Sequence, residues 1–355
     1  MRLFRYFQIV LLLALFSICT MTIFAETGGE DRSLVDTGYE YEDGAEDLAI
    51  DEEADDDSVE DTYDEEEVFS TSGDTSISRL TPQEKTLLRS LEHRAPNMTI
   101  LAESPAISVP EDLPRQFDWR NNQGDWTTPV KNQGEECGSC WAFAVTGILE
   151  SHLKIVQGDP LFNPDLSEQY LISCDTDDGG CDGGDFETAM SYLVDTPGDD
   201  GEVGTVSESD YPYIESDDSC SVIADTPRFT AGKWAYVNAS AEDAEVALPR
   251  VDELRAAIYL KGPIAVGVDD DDAFDEYTGG IFVSRNPSPE PETNHAVILV
   301  GWGTAGGRDY FIGKNSVGTD WGENGWFRID VNSSRIGEGA VYFDEEENET
   351  QVKKD

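Results

Sequence analysis

The chain has 355 residues, and its 75 acidic against 23 basic residues give a net charge of −52 at pH 7. Such a charge repels phosphate groups, which excludes nucleic acid as an expected partner. Residues 26–75 carry 22 of the acids and little apolar content, so disorder is predicted there. The other acids are spread along the chain. They indicate adaptation to high salt, where screening weakens self-repulsion, or else an ordinary acidic secreted protein.

Residues 1–25 have the pattern of a cleaved secretory signal peptide. Arg2 and Arg5 give a basic start, residues 9–24 are mostly apolar, and Ala25 is a small residue suited to the cleavage position. An uncleaved membrane anchor is the less favoured alternative, because polar residues interrupt a stretch that is short for a membrane span. We therefore expect a secreted or cell-surface (extracytoplasmic) protein with no membrane contact after signal removal.

Residues 26–112 are interpreted as an acidic, disordered leader or propeptide with one short helix. Residues 81–84 (Thr-Pro-Gln-Glu) form a capping box with proline at the first helical position. Leu87, Leu88 and Leu91 then fall on one face. This pattern fits a helix that docks on the rest of the protein, or equally a marginal surface helix.

From residue 113 the composition is that of a folded protein. Apolar spacing predicts a buried helix over residues 140–157, ended by Gly158, and residues 159–225 are rich in turn formers. Runs such as residues 264–268, 296–300 and 326–329 predict strands. We expect an α+β fold with a helical half, residues 113–225, a β-rich half, residues 226–345, a cleft between them, and an acidic tail, residues 346–355.

The cysteine count points to one free thiol. Six cysteines less Cys19 of the signal segment leave five, and in an oxidising compartment two disulfides would leave one over. Cys140 is the candidate, because it stands where a glycine-marked turn enters the predicted helix. A helix N-terminus favours an anion and therefore the nucleophilic thiolate.

The base that such a thiol needs can be found by elimination among three histidines. His93 lies in the leader. His152 lies in the same predicted helix as Cys140, twelve residues on and so roughly 18 Å away, too far for a hydrogen bond. His295 remains, at the point where a loop enters a predicted strand.

Two further groups complete a candidate site. Asn315 lies one hairpin after His295 and could orient its ring without adding charge. The Cys140 backbone N–H and the Gln133 side chain, seven residues earlier across a turn, could donate to an oxyanion.

Three segments have residue types that could serve a metal or redox role. Cys137 and Cys140 could form a redox or zinc pair, but a second close cysteine pair is missing. Residues 175–179 hint at calcium without the full ligand spacing, and they are interpreted as a plain acidic loop, as are residues 269–272. We therefore expect no metal and no cofactor.

From about residue 113 to 343 the chain resembles the papain family of cysteine proteases, and residues 137–141 fit the local signature of papain and the cathepsins. The matching segments stand in the family's order: residues 117–120, 129–134, 137–143, 180–184, 211–213, 262–264, 279–282, 294–297, 301–303 and 314–316.

The resemblance implies a two-domain papain-like fold, with a helical left domain and a β-barrel-like right domain. It implies Cys140 as nucleophile, His295 as acid and base, Asn315 as orienting residue, and Gln133 with the Cys140 amide as oxyanion donors. It further implies disulfides Cys137–Cys181 and Cys174–Cys220, and backbone pairing of Gly183 and Gly184 with an extended substrate.

Departures from the family pattern concern shielding, the propeptide and the substrate pocket. Val317 replaces the tryptophan that usually covers the Asn–His contact, and the retained Trp321 could compensate. The long propeptide pattern of the cathepsin L branch is absent. Asp185 on the pocket wall favours a basic substrate residue two positions before the cut, whereas Phe186 favours an apolar one, with Gly267 at the pocket base.

The leading interpretation is a cysteine endopeptidase acting on peptides or proteins through a thiolate–imidazolium pair and an acyl-enzyme. We expect a monomer, with a proteinaceous inhibitor as a possible partner. The alternatives are a catalytically weakened papain-fold binding protein, favoured only by Val317, and a transpeptidase that uses the same acyl-enzyme.

Overall fold

A computed structural model describes residues 70–92, 104–197, 201–221, 225–237, 248–284 and 293–345. The expected signal peptide, the acidic stretch before residue 70 and the acidic tail after 345 lie outside these residues. In the described parts there are six α-helices: α1 Pro82–Leu88, α2 Cys140–Gln157, α3 Glu168–Cys174, α4 Phe186–Val194, α5 Val251–Lys261 and α6 Asp272–Asp275. Within the described chain, no helix has the length and apolar content to cross a membrane.

The described strands are β1 Thr71–Ser72, β2 Phe117–Asp118, β3 Lys233–Tyr236, β4 Ile264–Val268, β5 Tyr277–Gly279, β6 Ile281–Phe282, β7 His295–Ala305, β8 Arg308–Lys314, β9 Trp326–Asp330 and β10 Glu338–Asp344. Seven of them follow one another in the order β3-β10-β4-β7-β8-β9-β6, and β2 pairs with β7. All these pairings are antiparallel except β6 with β9. Among the described strands the sheet is open between β3 and β6 rather than a closed barrel.

The predicted α+β fold is confirmed, with α2 to α4 in the first half and most strands in the second. Helix α2 has the predicted limits, and Gly158 ends it in the left-handed conformation at φ 64°. The helix packs on β7, where Gly147 allows close approach: a Cβ there would lie 2.6 Å from Ile298 Cδ1. The helix is therefore held directly against the strand that begins at His295.

The two halves are joined more closely than the division at residue 225 suggests. Strand β2 of the first half pairs with β7, with Phe117 opposite Trp302. Gly301 is needed there, because an added Cβ would lie 2.2 Å from the Phe117 carbonyl oxygen. Helix α5, in the β-rich half, was not predicted; its buried face carries Leu254 and Ile258. The domain limits themselves stay a prediction.

Part of the leader is ordered, contrary to the expectation of disorder with only one helix. Residues 70–92 add strand β1, which pairs with β5, and a 3₁₀ turn at Ile77–Arg79. The predicted capping box at the start of α1 is present, with the Thr81 side chain and that of Glu84 bonded to each other's backbone N–H. Ile77 and Leu88 are buried in the core, so this segment is held by apolar packing.

A buried charge network fixes α2 relative to its neighbours. Glu150 of α2 is fully buried and accepts from Thr128 Oγ1 at 2.5 Å and from the Leu166 N–H at 2.9 Å. Lys131 Nζ lies 3.0 Å from Glu150 Oε1, and Lys314 Nζ donates to Thr128 Oγ1 at 3.0 Å. Lys314 immediately precedes Asn315, so the network reaches from the interior of α2 to the candidate site.

Replacing Glu150 by alanine should lower the free energy of unfolding by about 3 kcal/mol, because it removes the acceptor of the buried Thr128 hydroxyl and Leu166 N–H and one of the carboxylates paired with the partly buried Lys131. Chemical denaturation of the full chain measures the change. Glu111→Ala removes an exposed carboxylate and serves as the matched control, with little expected effect. Equal stability of the two variants would contradict this role of Glu150.

Candidate active site

Cys140 is the first residue of α2 and the one free cysteine among the described residues. The other four form the disulfides Cys137–Cys181 and Cys174–Cys220, the pairs that the resemblance implied. Because Cys137 is bonded to Cys181, the redox-pair or zinc-pair interpretation of Cys137 and Cys140 is wrong. The odd thiol at the helix N-terminus remains available as a nucleophile.

His295 begins β7, where it is paired with Val268 of β4, and its ring is buried. Its Nε2 lies 2.9 Å from Asn315 Oδ1, as the hairpin return of β7 and β8 led us to expect. Its Nδ1 lies 3.0 Å from the Leu88 carbonyl oxygen of the leader. His152 instead bonds Glu345 Oε1 at 2.7 Å, and His93 lies outside the described residues.

The contacts of His295 favour the charged imidazolium form. Both ring nitrogens face oxygen acceptors, and only the imidazolium carries two N–H donors. Burial lowers the pKa of His295, but the hydrogen bond and negative charge of Cys140 more than offset it, and the charge of Asp270 and the Asn315 contact add to this, so the pKa is raised to about 9.

The pKa of the Cys140 thiol is shifted downward, opposite to that of His295. Burial raises the pKa of Cys140, yet the hydrogen bond and charge of His295 outweigh burial, so the net pKa lies below the ordinary value. The Ser90 hydroxyl and the Ala296 backbone lower it further. The lowered cysteine pKa and the raised histidine pKa together favour a thiolate–imidazolium pair over two neutral groups.

Gln133 has the geometry of an oxyanion donor. Its side chain is fully buried, and Oε1 accepts from Ser316 Oγ at 2.7 Å, which directs the amide nitrogen the other way. That nitrogen, Nε2, is buried without a hydrogen-bond partner in the structure. The loop is fixed by the Gln133 N–H, which donates to the Ser316 carbonyl at 2.7 Å. Ser316 was not assigned a role from the sequence, although it follows Asn315 directly.

Val317 and Trp321 lie in different surroundings from each other. Val317 is buried, and its backbone bridges to Asn132 beside the Gln133 loop. Trp321 is buried in an aromatic cluster, and its Nε1 donates to the backbone oxygens of Phe274 and Asp275 at 3.2 and 3.1 Å. Trp321 thus fixes helix α6, and its shielding of the Asn315–His295 contact stays a prediction.

The candidate substrate-binding glycines lie where residues 88–92 cross the site. The Gly184 N–H donates to the Ser90 carbonyl at 3.2 Å, and its carbonyl accepts from the Glu92 N–H at 2.9 Å, in a parallel bridge centred on Leu91. A Cβ on Gly183 would lie 2.7 Å from the Ser90 carbonyl oxygen, so the approach requires glycine.

The remaining pocket candidates have distinct contacts. A Cβ on Gly267 would lie 3.2 Å from Leu91 Cδ2, so this glycine borders the space that the leucine fills. Asp185 caps helix α4 by accepting from the Thr188 N–H at 3.1 Å, and both Asp185 and Phe186 are buried. The capping contact accounts for Asp185 structurally, and its role as a pocket carboxylate stays a prediction.

Two groups of the leader cover Cys140 and His295. Ser90 Oγ lies 3.4 Å from Cys140 Sγ. The Leu88 carbonyl occupies the Nδ1 side of His295. The sequence did not indicate this crossing, because residues 88–92 carry no motif of their own.

Replacing Cys140 by alanine should lower the pKa of His295 well below 9, because the thiolate charge and hydrogen bond that raise it are lost while burial remains. NMR titration of the His295 ring in the full chain measures this. Ser139→Ala is the control, since its hydroxyl bonds Tyr213 instead. An unchanged His295 pKa in the Cys140 variant would contradict the charge pair.

Comparison with known proteins accounts for this arrangement. The model of the papain family of cysteine proteases matches residues 113–343. A viral cathepsin of Epiphyas postvittana nucleopolyhedrovirus is 38% identical over 227 residues, which are 63% of this chain and 62% of that protein. Cathepsin S of Rattus norvegicus is 36% identical over 231 residues, 63% of this chain and 62% of that protein. The chain thus spans about three fifths of the length of these curated relatives.

A solved structure resembles the fold over a longer stretch. Digestive procathepsin L2 proteinase from the larval midgut of Tenebrio molitor is similar with a TM-score of 0.65 and 31% identity, covering 78% of this chain and 84% of that one. Since the family model covers well over half of the sequence, the chain belongs to the papain family of cysteine proteases.

Proposed function

We propose that this protein is a secreted cysteine endopeptidase made as a zymogen. The observation that carries the proposal is a free thiol, Cys140, that interacts with the buried His295 imidazole, whose ring contacts Asn315. Family membership supports peptide-bond hydrolysis as the reaction class.

The proposed reaction uses four groups in sequence. The Cys140 thiolate attacks a peptide carbonyl, and the oxyanion receives hydrogen bonds from Gln133 Nε2 and the Cys140 backbone N–H. The His295 imidazolium gives its proton to the leaving amine, whose C–N bond breaks to leave a thioester. His295 then takes a proton from water, the hydroxide attacks the thioester, and the acid product leaves as the thiolate re-forms. Asn315 holds the ring throughout.

The contacts of the leader support its proposed role as an inhibitor. The Ser90 hydroxyl contacts the thiol and the Leu88 carbonyl contacts the imidazole, so both groups are covered while the leader is bound. Among the described residues, no oxygen accepts from Gln133 Nε2, so the described part of the leader leaves the proposed oxyanion hole empty. These contacts support a leader that blocks the cleft.

Leu91 supports an apolar preference two residues before the cut. It lies beside Gly184, whose backbone would pair with substrate, and next to Gly267 at the expected pocket base. The carboxylate of Asp185 is engaged as a helix cap. Of the two preferences that the sequence left open, we therefore favour the apolar one.

Val317 is still the only feature that favours the binding-protein alternative. No contact among the described residues favours the transpeptidase alternative. The disulfides support an oxidising compartment, extracellular or lysosomal. The monomeric state and a proteinaceous inhibitor remain part of the proposal.

Cys140→Ala should abolish both labelling by an epoxide or vinyl-sulfone thiol probe and peptide cleavage. Labelling and cleavage are measured on the full chain after acidification, with Ser139→Ala as the control that keeps the nucleophile. Cleavage that persists without Cys140, or a wild-type thiol that never reacts in reducing buffer, would contradict the proposal.

Acidification should speed labelling of the intact zymogen, because the leader is held by ion pairs. Burial and the charge of Asp275 raise the pKa of Asp270 to about 7 in the leader-bound state, while Arg89 and His295 act to lower it. Since this pKa is raised above the ordinary carboxyl value, Asp270 by itself favours the bound leader at lower pH. Release on acidification therefore comes from loss of the ion pairs that Asp272 and Asp275 make with Lys85 and Arg89.

Variants of the leader separate the loss of its ion pairs from the direct effect of pH on the reactivity of the Cys140 thiol. Lys85→Ala with Arg89→Ala should speed labelling at neutral pH by about tenfold or more, because two partly buried ion-pairing cations are lost. Arg79→Ala is the control: it also lies in the leader, but it pairs with Asp74 of the leader itself. Equal labelling rates for all three proteins would exclude an electrostatic clamp.

A further inference from the structure

Two carboxylates that are buried while the leader is bound pair with cations of the leader. Asp270 and Asp275 have side chains only 8% and 2% exposed, while neighbouring Asp272 is 86% exposed. We call these three residues the acid pocket. From the sequence, residues 269–272 were interpreted as a plain acidic loop. In the structure, the side chain of Asp270 in this segment is buried.

Two leader cations neutralise the acid pocket. Arg89 Nη2 lies 2.8 Å from Asp275 Oδ2, and Arg89 Nε lies 3.5 Å from Asp270 Oδ2. Lys85 Nζ lies 2.8 Å from Asp275 Oδ2 and 3.5 Å from Asp272 Oδ1. Among the described residues, every ion pair to the acid pocket comes from these two leader side chains.

The acid pocket stays incompletely satisfied even with the leader in place. Asp270 Oδ1 is buried without a hydrogen-bond partner, and so is Arg89 Nε. A buried carboxylate without hydrogen bonds is costly, so its free oxygen favours a donor that reaches deeper or lies better aligned than Arg89 does.

The location of the acid pocket relative to the reacting atoms follows from the path of the leader. Leu91 lies at Gly184, on the side where the acyl part of a substrate would pair, and Ser90 lies at the thiol. Arg89 comes next and turns toward Asp270, whose backbone N–H bonds the side chain of Asn294, the neighbour of His295. The acid pocket therefore lies on the leaving-group side.

The pocket is also rigidly built. Trp321 donates to the backbone oxygen of Asp275 at 3.1 Å, and Asp271 caps α6 by accepting from the Phe274 N–H at 2.9 Å. Asn294 accepts from the Asp270 N–H at 2.8 Å. These contacts do not involve the leader, so removing the leader leaves two adjacent acids beside the cleft without their cations.

We infer that the acid pocket is a specificity site for a cationic substrate side chain, arginine or lysine, at the first residue after the cleaved bond. The substrate cation replaces Arg89 on Asp270 and Asp275 and restores the neutralisation that the leader provided. The inference rests on the proposed peptidase activity and adds to it a recognition element on the leaving-group side.

The test compares internally quenched peptides with leucine two residues before the cut and arginine, lysine, glutamine, leucine or glutamate directly after it. The full chain is activated by acidification, and the thiol probe counts the active sites. We expect kcat/KM for arginine to exceed that for glutamine by about tenfold or more, since the contact is a charge-assisted hydrogen bond in a buried pocket.

Asp275→Asn and Asp270→Asn should each reduce the arginine-to-glutamine ratio to within about threefold of one. The ratio cancels any effect of Asp270 on the charge state of His295, because both substrates meet the same nucleophile. Asp320→Asn, an exposed acid next to Trp321, is the matched control and should keep the ratio. Molar salt should also lower the ratio in the wild type.

The outcomes are distinguishable. Probe-reactive enzyme that cleaves all five peptides at similar rates overturns the inference and leaves the proposed function intact. A preference for arginine that survives both Asp270→Asn and Asp275→Asn overturns the assignment to the acid pocket. Absence of Cys140-dependent labelling and of cleavage removes the proposed function itself, and with it this inference.

Discussion

The charge pair between Cys140 and His295 is the interaction on which the site depends. Both groups are buried, and burial alone would keep both neutral by raising the pKa of the thiol and lowering that of the imidazole. The hydrogen bond and opposite charges that they share outweigh burial, and the contact of Asn315 with the ring adds to this. The fold supplies this by packing α2 on β7, so that the helix start meets the strand start.

Two of the many acidic residues of the chain, Asp270 and Asp275, lie beside this site. Asp270 contributes to the raised pKa of His295, and with Asp275 it binds the cations of the leader. One cluster thus supports the charged imidazole and binds the leader, and in our proposal it also lines the leaving-group side of the cleft. On that proposal, binding of the leader and recognition of a cationic substrate use the same carboxylates.

Much of the candidate site could be predicted from the sequence, because it depends on short local patterns and on residue types that occur only a few times. The limits of α2 follow from apolar spacing and Gly158, His295 follows from excluding two other histidines, and Asn315 follows from a hairpin return. The free thiol follows from an odd cysteine count, although the disulfide partners came only from family resemblance.

The remaining features depend on contacts between distant parts of the chain. Residues 88–92 carry no motif, and their position over Cys140 is set by the burial of Leu88 and Leu91 and by ion pairs about 185 residues away along the chain. The position of Asp275 is held by Trp321 and that of Asp270 by Asn294. An acidic run looks the same in sequence whether it faces solvent or a cleft, so its role required the fold.

The most direct test of the account is capture of the acyl-enzyme during turnover. The activated full chain is mixed with a peptide ester, quenched in acid, and mapped by mass spectrometry. The account predicts a substrate-derived acyl group on Cys140 that disappears as product forms, and none in Cys140→Ala or His295→Ala. Turnover with no acyl group on Cys140, or turnover undiminished in Cys140→Ala, would contradict it.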